Sequence, residues 1–194
     1  FMAHAWLPAW AQVAPDQFIK KLTTELFDTV KNDPAFKSGD AKRLAQLVDQ
    51  KVMPALNFQR MTASAVGPAW RQASPEQRTR LQEEFKQLLI RTYSGAVSEV
   101  KERTVFIKPL KVEADATEVL VRTEVRGGSE PVNIDYRIEK SADAPMGWRI
   151  YNMNVAGIWL VDTYRTQFAQ EINAKGIDGL ITTLSENNKV GPRK

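Results

Sequence analysis

The sequence predicts an α+β fold in which helices pack on one face of a curved antiparallel sheet of about four strands. Apolar residues first recur every three or four positions, as in amphipathic helices. Between residues 105 and 155 the period falls to two, and glycine-containing turns separate the segments. Beyond Gly157 the helical spacing returns. Because helices flank the strands instead of alternating with them, the expected sheet is an antiparallel meander.

The composition indicates a globular chain that can bury a sizeable core. Its 194 residues are 43% hydrophobic and 26% charged, and the net charge of +4 gives a pI near 9.3. Lys and Arg are interspersed with Asp and Glu, so nucleic-acid binding is not required. The absence of cysteine excludes disulfides and thiolate catalysis. The single histidine, His4, argues against a catalytic triad or a multi-histidine zinc site.

The two ends of the chain are set apart from the predicted domain. Residues 1–11 read FMAHAWLPAWA and end in a small-x-small pattern, so we expect the tail of an export signal or a vector-derived segment. Residues 12–187 form one predicted domain, and residues 188–194 form a polar tail. No apolar run reaches the ~18 residues that a bilayer-spanning helix requires.

Helix starts in the first half carry recognisable capping residues. We expect Asp16 to cap a first helix near Gln17 and Asp40 to cap a second. Asn57 is a candidate cap for a third helix. Ser74, followed by a proline and then by Gln77, forms the capping box of a helix of about 25 residues.

Four segments alternate apolar and polar residues as strands do. The first runs over 105–112 and is interrupted by Pro109, and the others span 117–126, 131–140 and 148–155. Gly127-Gly128 is expected to form a hairpin turn. Two further helices follow, separated by a stop at Lys175-Gly176.

No catalytic constellation stands out, but large apolar residues are abundant on one face of each element. Asp135 and Asp162 lie nearest to apolar stretches, and a surface ion pair or a cap explains each of them adequately. The apolar surplus fits either a solid core or a cleft between sheet and helices that takes an apolar ligand. Spacing alone leaves both interpretations open.

Three segments resemble the MlaC/Ttg2 family of bacterial periplasmic phospholipid-binding proteins. They read VMPALNFQRMTASAVGPAWRQASPEQRTRLQEEFKQLL, LLIRTYSGAV and WRIYNMNVAGIWLVDTYRTQF. The residues that match the family pattern are Pro54, Asn57-Phe58, Arg60-Met61, Gly67, Trp70-Arg71, Ser74-Pro75-Glu76-Gln77, Leu88-Leu89, Thr92-Tyr93, Trp148, Ile150-Tyr151, Gly157, Leu160, Tyr164-Arg165 and Phe168. The resemblance spans roughly residues 16–186. It departs from the family pattern at Asn152, Ala156, Trp159 and Thr163, which cluster at one turn.

The resemblance implies a periplasmic lipid carrier and not an enzyme. Such a protein holds phospholipid as cargo, with the tails between sheet and helices, and needs no metal or other cofactor. It would act as a monomer and shuttle lipid between an outer-membrane lipoprotein complex and an inner-membrane ABC transporter, which maintains outer-membrane lipid asymmetry. A hopanoid or other sterol-like lipid is the alternative cargo.

The resemblance also suggests which residues contact lipid. The expected tail-lining or mouth-framing residues are Leu56, Phe58, Met61, Val66, Trp70, Leu88, Leu89, Tyr93, Val121, Ile134, Tyr136, Ile150, Val155, Leu160 and Tyr164. Candidates for headgroup or partner contact are Arg71, Arg91 and Arg165.

Two other function classes fit the same layout. Small cone-shaped isomerases and dehydratases also pack helices on a curved sheet, but they place an acid or a histidine in an apolar pocket. The absence of a histidine from the predicted domain counts against that class. A plain interaction domain with a solid core is the third possibility.

Overall fold

Within residues 13–190 the protein combines five helices with a five-stranded antiparallel sheet, which confirms the predicted α+β class. The computed structural model describes residues 13–190. The predictions for residues 1–11 and for the last four residues lie outside that range. The helices are α1 (Pro15–Asn32), α2 (Ala41–Leu47), α3 (Phe58–Val66), α4 (Pro75–Ser98) and α5 (Leu160–Lys189). Short 3-10 or π-helical turns follow α1, α2, α3 and α4.

Three of the four predicted helix caps are confirmed. The side chain of Asp40 accepts hydrogen bonds from two backbone N–H groups of α2, and that of Asn57 accepts one from α3. Ser74 and Gln77 form the complete capping box of α4. The prediction for Asp16 was wrong, because α1 begins one residue earlier, at Pro15. Proline is favoured in the first helical turn because it has no N–H group to leave unpaired there.

The sheet is a meander in which every strand pairs with its chain neighbour. In order across the sheet, the strands are β1 (Thr104–Ile107), β2 (Glu118–Arg126), β3 (Val132–Lys140), β4 (Trp148–Val155) and β5 (Ile158–Trp159). The two-residue strand β5 adds one strand to the predicted four. The predicted first strand is shorter than expected, since it ends before Pro109, which cannot donate to a ladder.

A β-bulge at Tyr151 changes which residues of β4 face the helices. Ile138 pairs with Ile150, whereas its neighbour Arg137 pairs with Asn152, so Tyr151 has no opposite residue. An extra residue reverses the inward–outward alternation beyond it. Met153 therefore lies on the inner face together with Val155, two positions that strict alternation from Ile150 would have placed outside.

The inner face of the sheet is covered by α1 at one end and by a separate helical core nearby. Phe18, Ile19 and Leu22 of α1 pack on the β2–β4 side chains Val121 and Ile138. The helical core joins α3, α4 and α5 around a fully buried Phe85, whose ring contacts three other aromatic rings at centroid distances of 5.2–5.6 Å. The buried residues of the two cores form separate clusters, Leu56 packs against both, and the candidate site lies between them.

Helix α5 is kinked into two segments at Gly176, where the sequence predicted that one helix ends and the next begins. Gly176 has φ of 72°, a left-handed conformation that glycine adopts without steric cost. The second segment runs beside α4, where Asn188 donates a hydrogen bond to the backbone carbonyl of Glu84. The helix thus extends two residues into the predicted polar tail. None of the helices between residues 13 and 190 combines the length and hydrophobicity of a bilayer span.

Candidate functional site

A cavity of about 440 Å³ separates the inner face of the sheet from α2 and α4. Its volume falls in the range of sites that bind small organic ligands. The wall is formed by apolar side chains from five helices and three strands, namely Phe27, Leu44, Val48, Val52, Met53, Leu56, Phe58, Met61, Leu89, Ile90, Tyr93, Ala96, Val97, Val100, Val125, Val132, Ile134, Met153, Val155 and Leu160. Lys86, Glu99 and Arg103 complete the lining.

Helix α4 serves both the helical core and the cavity because one row of apolar residues, spaced by four, runs along most of its length. Leu81 and Phe85 belong to the core between α3, α4 and α5. Leu89, Tyr93 and Val97, spaced by four residues, lie along the cavity. The first half of this row therefore packs in the helical core, and the second half forms one long wall of the cavity.

An adjoining part of the wall comes from α2, which packs beside α4, and from the π-helical turn Val48–Val52 that follows it. Leu44, Val48 and Val52 recur every fourth residue and all contact the cavity. Pro54 ends this segment, and the next residues join β4 through a hydrogen bond from the backbone N–H of Asn57 to the carbonyl of Ile150. Insertion of a π-helical turn is common at functional sites.

Eight of the predicted lipid-contacting residues line this cavity. They come from α3, α4, α5 and the sheet, and they are Leu56, Phe58, Met61, Leu89, Tyr93, Ile134, Val155 and Leu160. Burial raises the pKa of the Tyr93 hydroxyl, and the neighbouring Tyr164 raises it further. Its phenol is therefore neutral over the whole physiological range of pH.

The other seven residues lie elsewhere. Val121, Tyr136 and Ile150 are buried under α1, which fills that part of the sheet face. Val66 and Trp70 belong to the packing between α3, α4 and α5. Leu88 and Tyr164 border a second, more polar cleft of about 390 Å³ between α4 and α5. Periodicity placed all of them on inward faces, but it does not specify which neighbour covers each position.

The three arginines predicted to contact a headgroup or partner do not line the apolar cavity. Arg71 is exposed at the end of the 3-10 turn before α4. Arg91 lies in the cleft between α4 and α5. Arg165 is exposed on α5, where it donates to the carbonyl of Ser64 at 2.9 Å and pairs with Asp162 at 3.5 Å.

Lys86 and Arg103 are the cations at the cavity, and sequence reasoning missed both. The ammonium of Lys86 pairs with Asp49 at 3.1 Å and with Glu83 at 3.0 Å. Burial opposes its charge, yet these two carboxylates outweigh that effect and raise the pKa of Lys86 above its ordinary value. Arg103 pairs with Glu99 at 3.0 Å. The available signal was their spacing from apolar lining residues: Lys86 precedes Leu89 by three positions, and Arg103 follows Val100 by three.

The residues that depart from the family pattern surround the β4–β5 turn, and none of them lines the cavity. Ala156 has φ of 52° and Gly157 has φ of 90°, which closes this turn. The guanidinium carbon of Arg137 lies over the ring of Trp159, 4.3 Å from the ring centroid. Asn152 is buried and accepts a hydrogen bond from the backbone N–H of Val161, near the start of α5.

The charged groups in the cavity wall within residues 13–190 are Lys86, Glu99 and Arg103. Within residues 13–190, no group of three or more His, Cys, Asp or Glu side chains is placed to hold a metal ion. Glu99 is the one carboxylate that lines the cavity in this range, and its side chain is 65% exposed.

Comparisons with known proteins agree on one family. The family model described as MlaC protein matches residues 20–186. The Haemophilus influenzae protein named "Intermembrane phospholipid transport system binding protein MlaC" is 21% identical over 181 residues, which cover 92% of this chain and 84% of that protein. The Pseudomonas putida "Toluene tolerance protein ttg2D" is 25% identical over 170 residues, which cover 87% of this chain and 77% of that protein.

A solved structure shares both the fold and much of the sequence. It is the phospholipid-binding protein from Ralstonia solanacearum in complex with a phospholipid. The two chains superpose with a TM-score of 0.87 at 42% identity, and the match covers 92% of this chain and 98% of the other. Together with the family match over most of the domain, these observations show that the chain belongs to the MlaC protein family.

Proposed function

We propose that this protein is a lipid carrier that binds phospholipid in the cavity between sheet and helices and catalyses no reaction. The observation that carries this proposal is the 440 Å³ apolar cavity in a chain 42% identical to a protein solved with a bound phospholipid. The lining is apolar along its length and carries charged groups at Lys86, Glu99 and Arg103. That distribution suits an amphiphile with a hydrocarbon body.

Hydrophobic burial is sufficient to hold such a ligand. Each CH₂ group moved from water into an apolar pocket contributes about 0.8 kcal/mol. The lining residues Leu89, Ile134, Val155 and Leu160 offer no group that would need a polar partner. We therefore assign the tail-contacting role to the eight predicted residues that line the cavity. The exposed Arg71 and Arg165 are better suited to contacts with partner proteins.

The transport route is the finer part of the proposal. We infer that the protein works in the periplasm and carries phospholipid between an outer-membrane lipoprotein complex and an inner-membrane ABC transporter. The name of the Haemophilus influenzae relative, a binding protein of an intermembrane phospholipid transport system, supports this route. Since a well-buried lipid leaves slowly, such a carrier would rely on its partners to deform the cavity during delivery.

Mass spectrometry of the purified protein tests the proposal. Native spectra before and after organic extraction should reveal one or more phospholipids bound stoichiometrically, and the extract identifies their class. A hopanoid or sterol-like lipid in the extract would replace phospholipid as the cargo. Protein that stays empty after incubation with phospholipid vesicles would contradict the carrier function and favour a plain interaction domain.

A further inference from the structure

The cavity opens to solvent near the C-terminal end of α4. Ala96 and Glu99 line it there and are exposed, whereas Lys86 lies about 20 Å away from Glu99 along the helix axis and is largely buried. The open end is thus formed by the last turns of α4 and by the β2–β3 turn, since Val125 and Val132 flank that turn and also line the cavity. Arg103 lies at this end.

The guanidinium of Arg103 is held in place by its own segment. Its Nε donates to the backbone carbonyl of Glu99 at 3.2 Å, and Nη2 donates to the Glu99 carboxylate at 3.0 Å. Only 20% of the side chain is exposed. A guanidinium has five N–H groups, so these two bonds leave capacity for an anion. The side chain is therefore held in one position and still has N–H groups that can donate to an anion.

Two glycines of the β2–β3 turn make room for Arg103. A Cβ atom at Gly128 would lie 3.0 Å from the guanidinium carbon and from both terminal nitrogens of Arg103. A Cβ atom at Gly127 would lie 2.3 Å from the carbonyl oxygen of Glu102. The Gly-Gly pair, which the sequence explains as a hairpin turn, therefore also allows the segment 102–103 to pack against this turn.

The charges around Arg103 favour an anion. Lys31 donates from its ammonium to the backbone carbonyl of Arg103 at 3.1 Å, which brings a second positive charge to this end of the cavity. The negative charge of Glu99 partly cancels these two positive charges, but the Glu99 side chain is 65% exposed and pairs with Arg103 across one helical turn. Ion pairs of this type are worth only about 0.3–0.5 kcal/mol. An incoming anion that binds Arg103 more strongly can displace the Glu99 carboxylate.

Lys86 is less suited to this role. Its ammonium is already engaged by the carboxylates of Asp49 and Glu83, and it is largely buried. An anion there would have to compete with two negative charges. Arginine also presents paired N–H groups that match two oxygens of a phosphate, which the ammonium of lysine does not.

We propose that Arg103, with Lys31 beside it, binds the phosphate of a lipid whose tails occupy the cavity, and that this phosphate replaces the Glu99 carboxylate on the guanidinium. This proposal rests on the proposed function and adds the group that distinguishes phospholipids from uncharged lipids with the same tails. The tails would provide most of the affinity, and Arg103 would provide selectivity for the phosphodiester.

A competition between two lipids tests this role. The protein is incubated with vesicles that contain equal amounts of dioleoyl phosphatidylglycerol and dioleoylglycerol, which share their tails and differ in the phosphate. The ratio of the two lipids in the reisolated protein is then measured by mass spectrometry. The wild type should be enriched in the phospholipid, and Arg103→Gln should lower the ratio about tenfold, as expected for the loss of a charge-assisted pair.

Three further variants make the result specific. Arg122→Gln removes the same charge from an exposed arginine of β2 outside the cavity and should leave the ratio unchanged. Glu99→Gln removes the competing carboxylate and should raise the ratio. Gly128→Ala crowds the guanidinium without changing any charge and should lower it. If Arg103→Gln does not fold, the opposite shifts expected for Glu99→Gln and Gly128→Ala still test the proposal.

The possible outcomes separate this proposal from the carrier function. If Arg103→Gln binds both lipids at the wild-type ratio, Arg103 is not the phosphate ligand, although the carrier function stands. If neither the wild type nor any variant takes up either lipid, the carrier function itself is contradicted. A separate titration of the wild type and Arg103→Gln with inorganic phosphate, followed by NMR of the arginine Nε–H signals, distinguishes free phosphate. Phosphate binding at Arg103 without any lipid selectivity would overturn the assignment to a headgroup.

Discussion

The ammonium of Lys86 on α4 pairs with the carboxylate of Asp49 on the facing π-helical turn at a distance of 3.1 Å. This contact links two adjoining segments that both line the cavity. The same ammonium also pairs with Glu83, which lies on α4 itself. One of the two carboxylates thus joins the α2 segment to α4, and the other lies within α4.

We expect Asp49→Asn to speed release of a bound phospholipid, because it loosens the α2 wall. Both carboxylates are more than half exposed, so the rate should rise by about two- to fivefold, which corresponds to 1 kcal/mol or less. The measurement is transfer of a fluorescent phospholipid to acceptor vesicles. Glu83→Gln is the matched control and should leave the rate nearly unchanged. Equal rates for the two variants would show that the pair between Lys86 and Asp49 does not hold the α2 wall in place.

Filling the cavity should reduce lipid binding without unfolding the protein. Leu89 lines the cavity and its neighbour Leu88 borders the cleft between α4 and α5. In Leu89→Trp the larger side chain takes up space that acyl chains would occupy, so the lipid recovered should fall severalfold or shift to shorter chains. Leu88→Trp makes the same exchange one residue away and should retain binding. Equal lipid content in both variants, measured by extraction and mass spectrometry, would contradict the location of the tails.

The aromatic cluster around Phe85 should be essential for stability. Phe85 is fully buried and contacts the rings of Phe58, Tyr164 and Phe168. Phe85→Ala leaves a large void and should lower the free energy of unfolding by about 3–5 kcal/mol. Phe106→Ala, at a side chain that is 42% exposed, should cost less than about 1 kcal/mol. Urea denaturation measures both values, and similar losses would mean that the cluster is not a stability centre.

Alkaline pH should unfold the protein partly through Tyr136. Burial raises the pKa of its hydroxyl in the folded state. The unfolded chain releases that proton near pH 10, so the folded state binds it more tightly. The resulting stabilisation is complete below about pH 10 and is lost as the pH rises above that value. In Tyr136→Phe, the free energy of unfolding should fall less steeply with pH in that range than in the wild type. Parallel curves would exclude Tyr136 as a contributor.

Local patterns sufficed for most of the fold. Each capping side chain at Asp40, Asn57 and Ser74 acts within three residues of itself, so sequence spacing predicted it. The two-residue period of β2 and β3 likewise follows from the geometry of a single strand. The bulge at Tyr151 was not predicted, because it depends on how β4 pairs with β3. Asp16 failed as a cap because Pro15 already occupies the first turn.

The candidate site was predicted only in part, for a related reason. Leu89 and Leu88 are equally apolar neighbours on α4, and the sequence assigns them the same role. One lies at the cavity and the other at the cleft, since α5 covers only one side of α4. Arg103 was missed because its position at the open end depends on contact with a turn that follows it by 25 residues.

The sequence by itself determined the α+β class, the order and approximate bounds of the elements, and the family, because these depend on local periodicity, capping and motif order. Only the tertiary structure decided which inward-facing residues are covered by α1 and which line a cavity. It also selected Lys86 and Arg103 over Arg71, Arg91 and Arg165 as the cations that meet the cavity. The physical reason is that a cavity is a gap between elements, and its position depends on how helices and sheet fail to fill the space between them.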